Sequence, residues 1–136
     1  MRTFNRRGAH RGCAFADFNN DGKIDVVTTS LNEPAKLLLN ESVGRNHWLT
    51  LHLKGGRSNR DGIGAKVKLV TASGLIQHNH VTTSVGYASS SDRRVHFGFG
   101  KDDSAASLEI QWPSGVVQTL RDLEADQVLT VTEPAR

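Results

Sequence analysis

The feature that most constrains the fold is an alternation of apolar and polar side chains that begins after residue 44. The alternating segments are 47–53, 65–72, 75–83, 94–99, 108–112, 116–120 and 128–132. Successive side chains of a β-strand point to opposite faces, so each segment predicts a strand with one apolar face. Turn residues such as Ser73-Gly74 and Pro113-Ser114-Gly115 separate the segments. The pattern therefore predicts an all-β, seven-stranded β-sandwich or small barrel.

Within these segments, the residues that share an apolar face form the predicted core. They are Leu49, Leu51, Leu53, Ala65, Val67, Leu69, Val95, Phe97, Phe99, Leu108, Ile110 and Trp112. A chain of 136 residues can bury one modest core. Residues 122–126 are predicted to form one short helical turn.

Residues 1–45 have a different character from the rest of the chain. They contain three short strand-like runs, at 12–16, 23–29 and 36–39, and Asn32-Glu33-Pro34 is predicted to form the turn before the third run. Cys13, among small residues of the first run, is predicted to be a buried thiol. The sequence thus predicts two domains, 1–45 and 46–136.

The segment at residues 17–25 has the spacing of a calcium-binding loop. Oxygen-bearing side chains stand at loop positions 1, 3, 5 and 9, and Gly22 stands at position 6, where a sharp turn is needed. The proposed ligands are the side chains of Asp17, Asn19, Asp21 and Asp25 and the backbone oxygen of Lys23. A hard cation that takes six to eight oxygen ligands suits this set.

The residues after the loop distinguish the calcium-loop families. An EF-hand requires Glu at position 12 and then a helix, but position 12 is Thr28. Residues 24–29 are mostly β-branched and favour a strand. A strand-loop-strand calcium site therefore fits better than an EF-hand. The alternative is a hairpin turn rich in Asn and Asp that binds no metal.

Two resemblances rest on these motifs. Residues 11–17 and 37–41, on either side of the loop, resemble the FG-GAP or VCBS repeat, the blade unit of integrin-type β-propellers. The later motifs are Asn46-His47-Trp48-Leu49, residues 58–67, His96-Phe97-Gly98-Phe99-Gly100 and Trp112-Pro113-Ser114-Gly115. They resemble the ASPIC/UnbV domain, with Phe99 where that family usually has Leu. The first domain is thus interpreted as an FG-GAP/VCBS-like blade fragment and the second as an ASPIC/UnbV-like domain.

The resemblance implies an all-β accessory module that comes after a calcium-binding propeller, mostly in exported proteins, with no agreed catalytic activity. It also implies an extracellular or periplasmic location, although no signal peptide is predicted from the N-terminal residues of this sequence. Propellers have typically four to eight blades, so the chain is predicted to be a fragment or a truncated member. Residues 37–39, all Leu, must pack on the second domain, on a second copy or on absent blades. Self-association through the blade edge is one such outcome.

Charge and hydropathy exclude other classes. The net charge is +3, and the arginines near the N-terminus, Arg2, Arg6, Arg7 and Arg11, lack the aromatic platform or helix-turn-helix pattern of a nucleic-acid-binding protein. Apolar runs fall short of the roughly 18 residues of a membrane span. The sequence predicts neither a nucleic-acid partner nor a membrane span.

Catalytic motifs are not apparent. No Gly-x-Ser-x-Gly elbow or Cys-His pair occurs. His78 and His80 share one face of a strand and could hold a transition metal with a third ligand from His52 or His96; a solvent-facing polar strand is the favoured interpretation.

The candidate ligand-binding residues are Asn59, Arg60 and Asp61 on a glycine-rich loop, with Trp48 and Tyr87 as candidate aromatic platforms for a glycan. The sequence thus predicts a non-catalytic calcium-binding β-module that mediates protein or glycan interaction. The alternative is an accessory domain of a biosynthetic or degradative enzyme whose active site lies partly in absent propeller blades.

Overall fold

The computed structural model describes residues 8–135 as ten β-strands without a helix. The strands are β1 (His10–Ala16), β2 (Asp25–Ser30), β3 (Glu33–Leu38), β4 (His47–Lys54), β5 (Lys66–Thr71), β6 (Ile76–His80), β7 (Val95–Gly100), β8 (Ser104–Gln111), β9 (Val117–Glu124) and β10 (Gln127–Thr132). The all-β prediction is confirmed, and β4 to β10 are the seven strands expected after residue 44. No helix in this range could span a membrane. Arg2, Arg6 and Arg7 lie outside the described residues.

The strands form three sheets, in the orders β1-β2-β3, β10-β4-β7 and β6-β5-β8-β9. β10 runs parallel to β4, and the other pairs are antiparallel. The outer strands of each sheet have one neighbour apiece within residues 8–135. Since these edges remain open, the second unit is a sandwich and not a closed barrel.

The core lies between the two later sheets. Its fully buried apolar residues are Leu49, Leu51, Leu53, Ala65, Val67, Leu69, Val81, Val95, Phe97, Phe99, Ala105, Leu108, Ile110, Trp112 and Val131. All of the core residues predicted by alternation are among them. Burial of one Leu or Phe side chain contributes roughly 1.5–3 kcal/mol, so these residues dominate the stability of the second unit. Among residues 8–135, β1 to β3 contribute no side chain to this core.

This distribution of the core leads to the first prediction, that the fragment 46–136 folds alone whereas the fragment 1–45 does not. The fragment 46–136 retains every residue of the core described above, whereas residues 8–45 form three short strands and contribute no residue to it. Circular dichroism and proton NMR of each fragment should show a cooperative β-domain for 46–136 only. A disordered spectrum for 46–136 would contradict the proposed domain boundary.

Two predicted turns are wrong in position. Residues 122–126 form no helical turn, because β9 continues to Glu124 and pairs with a β8 that begins at Ser104. The turn predicted at residues 32–34 lies earlier in the chain. The connection between β2 and β3 turns at Leu31 and Asn32, with Asn32 at φ 58°, while Pro34 lies inside β3. β3 is an edge strand, where the missing N–H of a proline is tolerated.

The first unit is also less buried than predicted. Cys13 is half-buried and not enclosed, because β1 belongs to a single sheet with no second layer of its own. Leu37 and Leu39 remain 51% and 50% exposed, so they do not pack into the second unit. Any residues that cover these two leucines must therefore lie outside the described residues.

Candidate functional site

The loop at residues 17–25 folds around the carboxylate of Asp17, which is 3% exposed. The backbone N–H of Asp21 donates to its Oδ1 at 3.1 Å, and the N–H of Gly22 donates to its Oδ2 at 2.9 Å. The positive φ angles of Asn20 and Gly22, 56° and 82°, let the chain turn around this carboxylate. Asp17 thus determines the shape of the loop.

Asp25, at the far end of the loop, is 1% exposed. Its Oδ2 accepts a hydrogen bond from the N–H of Phe18 at 3.0 Å, and its Oδ1 accepts one from the N–H of Asn40 at 2.8 Å. Asp25 therefore joins the loop to the chain that leaves β3.

The middle of the loop is held by shorter-range bonds around Asp21. Its Oδ1 accepts from the N–H of Lys23 at 2.9 Å, and its Oδ2 accepts from the side-chain amide of Asn19 at 3.0 Å. The Lys23 ammonium lies 3.6 Å from Oδ2. The backbone bond from Lys23 is the main reason that the pKa of Asp21 lies below its ordinary value, so the carboxylate is ionised at neutral pH.

The donor chemistry of this loop suits calcium. Three carboxylates, an amide and a backbone carbonyl are hard oxygen donors, and each carboxylate oxygen can accept more than one partner. Among residues 8–135, no three His, Cys, Asp or Glu side chains converge closely enough to hold a metal by themselves. To bind calcium, Asp17, Asp21 and Asp25 would therefore have to move closer together and be joined by the oxygens of Asn19 and Lys23, and the Lys23 ammonium would have to leave Asp21.

The loop lies against the second unit at Trp48. A Cβ atom on Gly22 would stand 2.1 Å from the indole nitrogen of Trp48, so only glycine permits this contact. The Trp48 ring stacks on His96, with centroids 6.0 Å apart and planes 17° apart. Burial lowers the pKa of His96 and outweighs the opposing effect of the nearby Asp17 carboxylate.

Arg94 of the second unit binds the loop directly. Its Nη2 donates to the backbone oxygen of Asp17 at 2.7 Å, and its Nη1 donates to Oδ1 of Asn20 at 2.6 Å. Nε of the same guanidinium pairs with Asp92. Arg94 therefore links a candidate calcium loop to the sandwich through one planar, multiply donating group.

The edge of β1 is bound to the same part of the second unit. The N–H groups of Cys13 and Phe15 donate to the hydroxyls of Ser89 and Ser91, at 2.9 and 3.0 Å. The N–H of Asp92 donates to the backbone oxygen of Phe15 at 3.1 Å. The two units are therefore joined through polar contacts of the loop and of β1, at positions that alternation could not reveal.

The other sequence-predicted ligand residues are not gathered at the junction with Trp48. The Asn59 amide is used within its own loop, where it both donates to and accepts from the backbone of Ile63, at 2.8 and 2.9 Å. Asp61 forms ion pairs with Arg93 and Arg60. Tyr87 is 80% exposed. Tyr87 and Arg60 are the candidates whose side chains remain largely open to solvent.

Glu133 is a structural residue that no sequence motif indicates. It is 4% exposed, and its Oε2 accepts from the N–H groups of Gly56, Arg57 and Ser58 at 2.8, 2.8 and 2.7 Å. The hydroxyls of Ser58 and Ser114 donate to Oε1. Burial alone would raise the pKa of Glu133, but these bonds lower it to about 2. One carboxylate thus holds together the glycine-rich loop and the end of β10.

Hydroxyl groups contact histidines at two places. Ser30 lies 2.8 Å from Nδ1 of His10, and Thr50 lies 2.8 Å from Nδ1 of His96. A catalytic site would also need an orienting group for the base and donors for the developing charge. The absence of turnover remains a prediction. His78 and His80 are exposed on β6, as the favoured interpretation predicts, and the alternative group of three metal ligands does not form within residues 8–135.

Comparison with known proteins decides the family of the second unit. The family model described as ASPIC and UnbV matches residues 55–136. The chain belongs to the ASPIC and UnbV family. The match begins after β4, yet β4 is the central strand of its sheet and supplies Leu49, Leu51 and Leu53 to the core. In this structure, the ASPIC and UnbV unit therefore includes β4.

Two relatives align with almost the whole chain. Cartilage acidic protein 1 of Xenopus tropicalis is 31% identical over 134 residues, and that of Homo sapiens is 29% identical over 132 residues. Each alignment covers 93% of this chain and 20% of the relative. The chain thus spans about a fifth of the length of the curated relatives it matches. The alignments include both the loop unit and the ASPIC and UnbV unit.

Proposed function

We propose that this chain is a non-catalytic, calcium-stabilised interaction module that acts outside the cell. In this proposal, calcium bound by residues 17–25 stiffens the junction between the blade-like unit and the ASPIC and UnbV unit. The ordered loops then bind a protein or glycan partner. Relatives that are named for cartilage support the extracellular location.

The observation that carries this proposal is the contact of Arg94 and Trp48 with the loop. Arg94 binds the loop through Asp17 and Asn20, and Trp48 packs on Gly22. A metal bound by Asp17 would therefore stiffen the junction as well as the loop. Because ordering a segment before binding reduces the entropy lost on binding, a stiff junction favours an interaction role.

We also propose that the chain is part of a larger propeller protein. The half-exposed Leu37 and Leu39 offer an apolar surface that a neighbouring blade could cover. Relatives about five times as long as this chain support the idea.

The second prediction concerns calcium affinity. The chain should bind calcium in a saturable manner with a Kd of roughly 10⁻⁴ to 10⁻³ M, the range of extracellular calcium modules. Calcium at ten times Kd should then raise the free energy of unfolding by about 1.4 kcal/mol. Replacing Asp21 with Ala should weaken binding by about tenfold or more, since it removes a carboxylate that the metal would use.

Isothermal titration calorimetry of the wild type, Asp21→Ala and Glu41→Ala measures this effect. Glu41 is exposed and lies outside the loop, so Glu41→Ala is the control for loss of one negative charge. Equal saturable binding by the wild type and Asp21→Ala would exclude this loop as the site. An absence of saturable binding by the wild type would exclude the calcium role altogether.

A further inference from the structure

The outward face of the sheet β6-β5-β8-β9 is a broad depression that the proposed calcium function does not use. The cavity on it has a volume of about 730 Å³, within the range of sites for small organic ligands. Its polar lining residues are Lys66, Lys68, His78, Asn79, His80, Glu109 and Gln111. The side chains rise from paired strands, so their positions are fixed by the backbone ladder.

The register gives this face a repeating pattern. Lys66 lies opposite His80, and Lys68 lies opposite His78 on the neighbouring strand. Each rung therefore pairs an ammonium with an imidazole whose Cβ atoms are about 4.5–5.5 Å apart. The two rungs are about 7 Å apart, the spacing of alternate residues along a strand. We call Lys66, Lys68, His78, His80 and Arg121 the basic face.

Arg121 extends the basic face beyond the cavity. It lies on β9 opposite Ser107, which in turn pairs with Val70 of β5. Glu109 is the one acidic residue that lines the cavity. Among residues 8–135, Lys66 and Lys68 form no ion pair. Glu109 lies opposite Lys68 on β8 and offsets one positive charge, so Lys66, Lys68 and Arg121 together leave two positive charges in excess for a ligand.

We propose that the basic face binds an anionic polysaccharide that carries sulfate or uronate groups. Lys66, Lys68 and Arg121 stand at separate positions on one sheet face, so they complement a polymer with several anions better than they complement one isolated phosphate. The cavity lining contains no Phe, Tyr or Trp, which disfavours a neutral glycan held by stacking. The lysine methylene stems provide an apolar floor for sugar rings, while the ammonium groups remain free to meet anions.

This proposal goes beyond the proposed function because it names a ligand class and a surface remote in sequence from residues 17–25. It requires no calcium. A polysaccharide bound through charge should be released by salt, since salt screens exposed charges beyond about 10 Å at 0.1 M. Calcium binding by residues 17–25 and polysaccharide binding by the basic face can therefore be tested independently of each other.

The third prediction is that the full chain binds a heparin oligosaccharide and does not bind neutral dextran. Surface plasmon resonance at several salt concentrations, without calcium, measures both. The double variant Lys66→Gln/Lys68→Gln should bind heparin at least about tenfold more weakly and show a smaller salt dependence. Glu109→Gln should bind about two- to fivefold more tightly, since it removes the acidic group of the cavity.

The matched control is Lys54→Gln/Lys101→Gln, which removes two exposed lysines, one at the end of β4 and one just after β7. A thermal melt of every variant checks that it is folded. An equal loss of heparin binding in this control would show a general attraction of polyanions and overturn the proposal. Equal affinity for poly-L-glutamate or duplex DNA would overturn the choice of a polysaccharide. Loss of heparin binding in the first double variant alone, with unchanged melting, would support the basic face.

Discussion

Replacing Glu133 with Gln should lower the melting temperature at pH 7 by roughly 10 °C, a large effect for one exchange of oxygen for nitrogen. Oε2 of Glu133 accepts three backbone N–H groups, from Gly56, Arg57 and Ser58. A Gln side chain carries no negative charge, so all three N–H groups lose their charged acceptor, and its amide nitrogen cannot accept the hydrogen bonds that a carboxylate oxygen accepts. The loop should detach from the end of β10, and scanning calorimetry measures the resulting loss of stability.

The same variant should change the pH dependence of stability. Hydrogen bonding lowers the pKa of Glu133 from 4.5 to about 2 in the folded chain. A lowered folded-state pKa means that this contribution is complete above pH 4.5 and is lost as the pH falls toward 2. The wild type should therefore lose stability across this window more steeply than Glu133→Gln, and the two melting temperatures should approach each other near pH 2.

The control for Glu133→Gln is Glu124→Gln, which makes the same chemical change at an exposed position of β9. Its melting temperature should stay within a few degrees of the wild type. Equal melting temperatures for Glu133→Gln and Glu124→Gln at pH 7 would contradict the role assigned to the buried carboxylate.

Gly22→Ala should open the junction between the two units and destabilise the docked loop by roughly 2–4 kcal/mol. Two effects combine at this position. Gly22 has φ 82°, which an alanine adopts only with strain, and the added Cβ would overlap the Trp48 indole, 2.1 Å from its nitrogen. The loop must therefore move away from Trp48, and the contacts of Arg94 with the loop should weaken with it.

Gly74→Ala separates these two effects. Gly74 has φ 91°, but a Cβ there would meet no atom within 4 Å. This control therefore carries the backbone strain alone, about 1–2 kcal/mol. A difference in stability between the two variants reports the contact with Trp48.

Tryptophan fluorescence gives an independent measurement of the junction. The chain has two tryptophans, and Trp112 is buried in the core at 1% exposure. Uncovering Trp48 should shift the emission to longer wavelength in Gly22→Ala and leave it unchanged in Gly74→Ala. Identical emission and identical stability in the two variants would contradict a junction built on Gly22 and Trp48.

Sequence and structure agree best where a signal repeats along one strand. Leu49, Leu51 and Leu53 alternate with polar or small neighbours, and all three are buried. The ends of strands are predicted less accurately, because they depend on the length of the partner strand. β9 extends to Glu124 because β8 begins at Ser104, which pairs with Glu124. A single strand does not show in its own sequence how long its neighbour is.

Side chains that join distant parts of the chain could not be predicted in the same way. Glu133 comes after β10 with no motif around it, and its acceptor role depends on Gly56, which is 77 positions earlier. Arg94 belongs to no sequence motif of the calcium loop, yet it binds Asp17 at the same separation of 77 residues. Such roles arise when the fold brings a charged side chain close to backbone N–H or C=O groups with which it can form hydrogen bonds.

The sequence by itself determined the all-β class and the seven strands of the sandwich with their inward faces, because each depends on spacing within one short segment. The calcium ligands of residues 17–25 rest on the same kind of local spacing and stay a prediction. The tertiary structure alone decided that the loop docks on Trp48 and Arg94, that Glu133 closes the glycine-rich loop, and that Lys66, Lys68, His78 and His80 form one face. These features depend on strand register and on contacts between residues far apart in the chain. Local spacing carries no information about either.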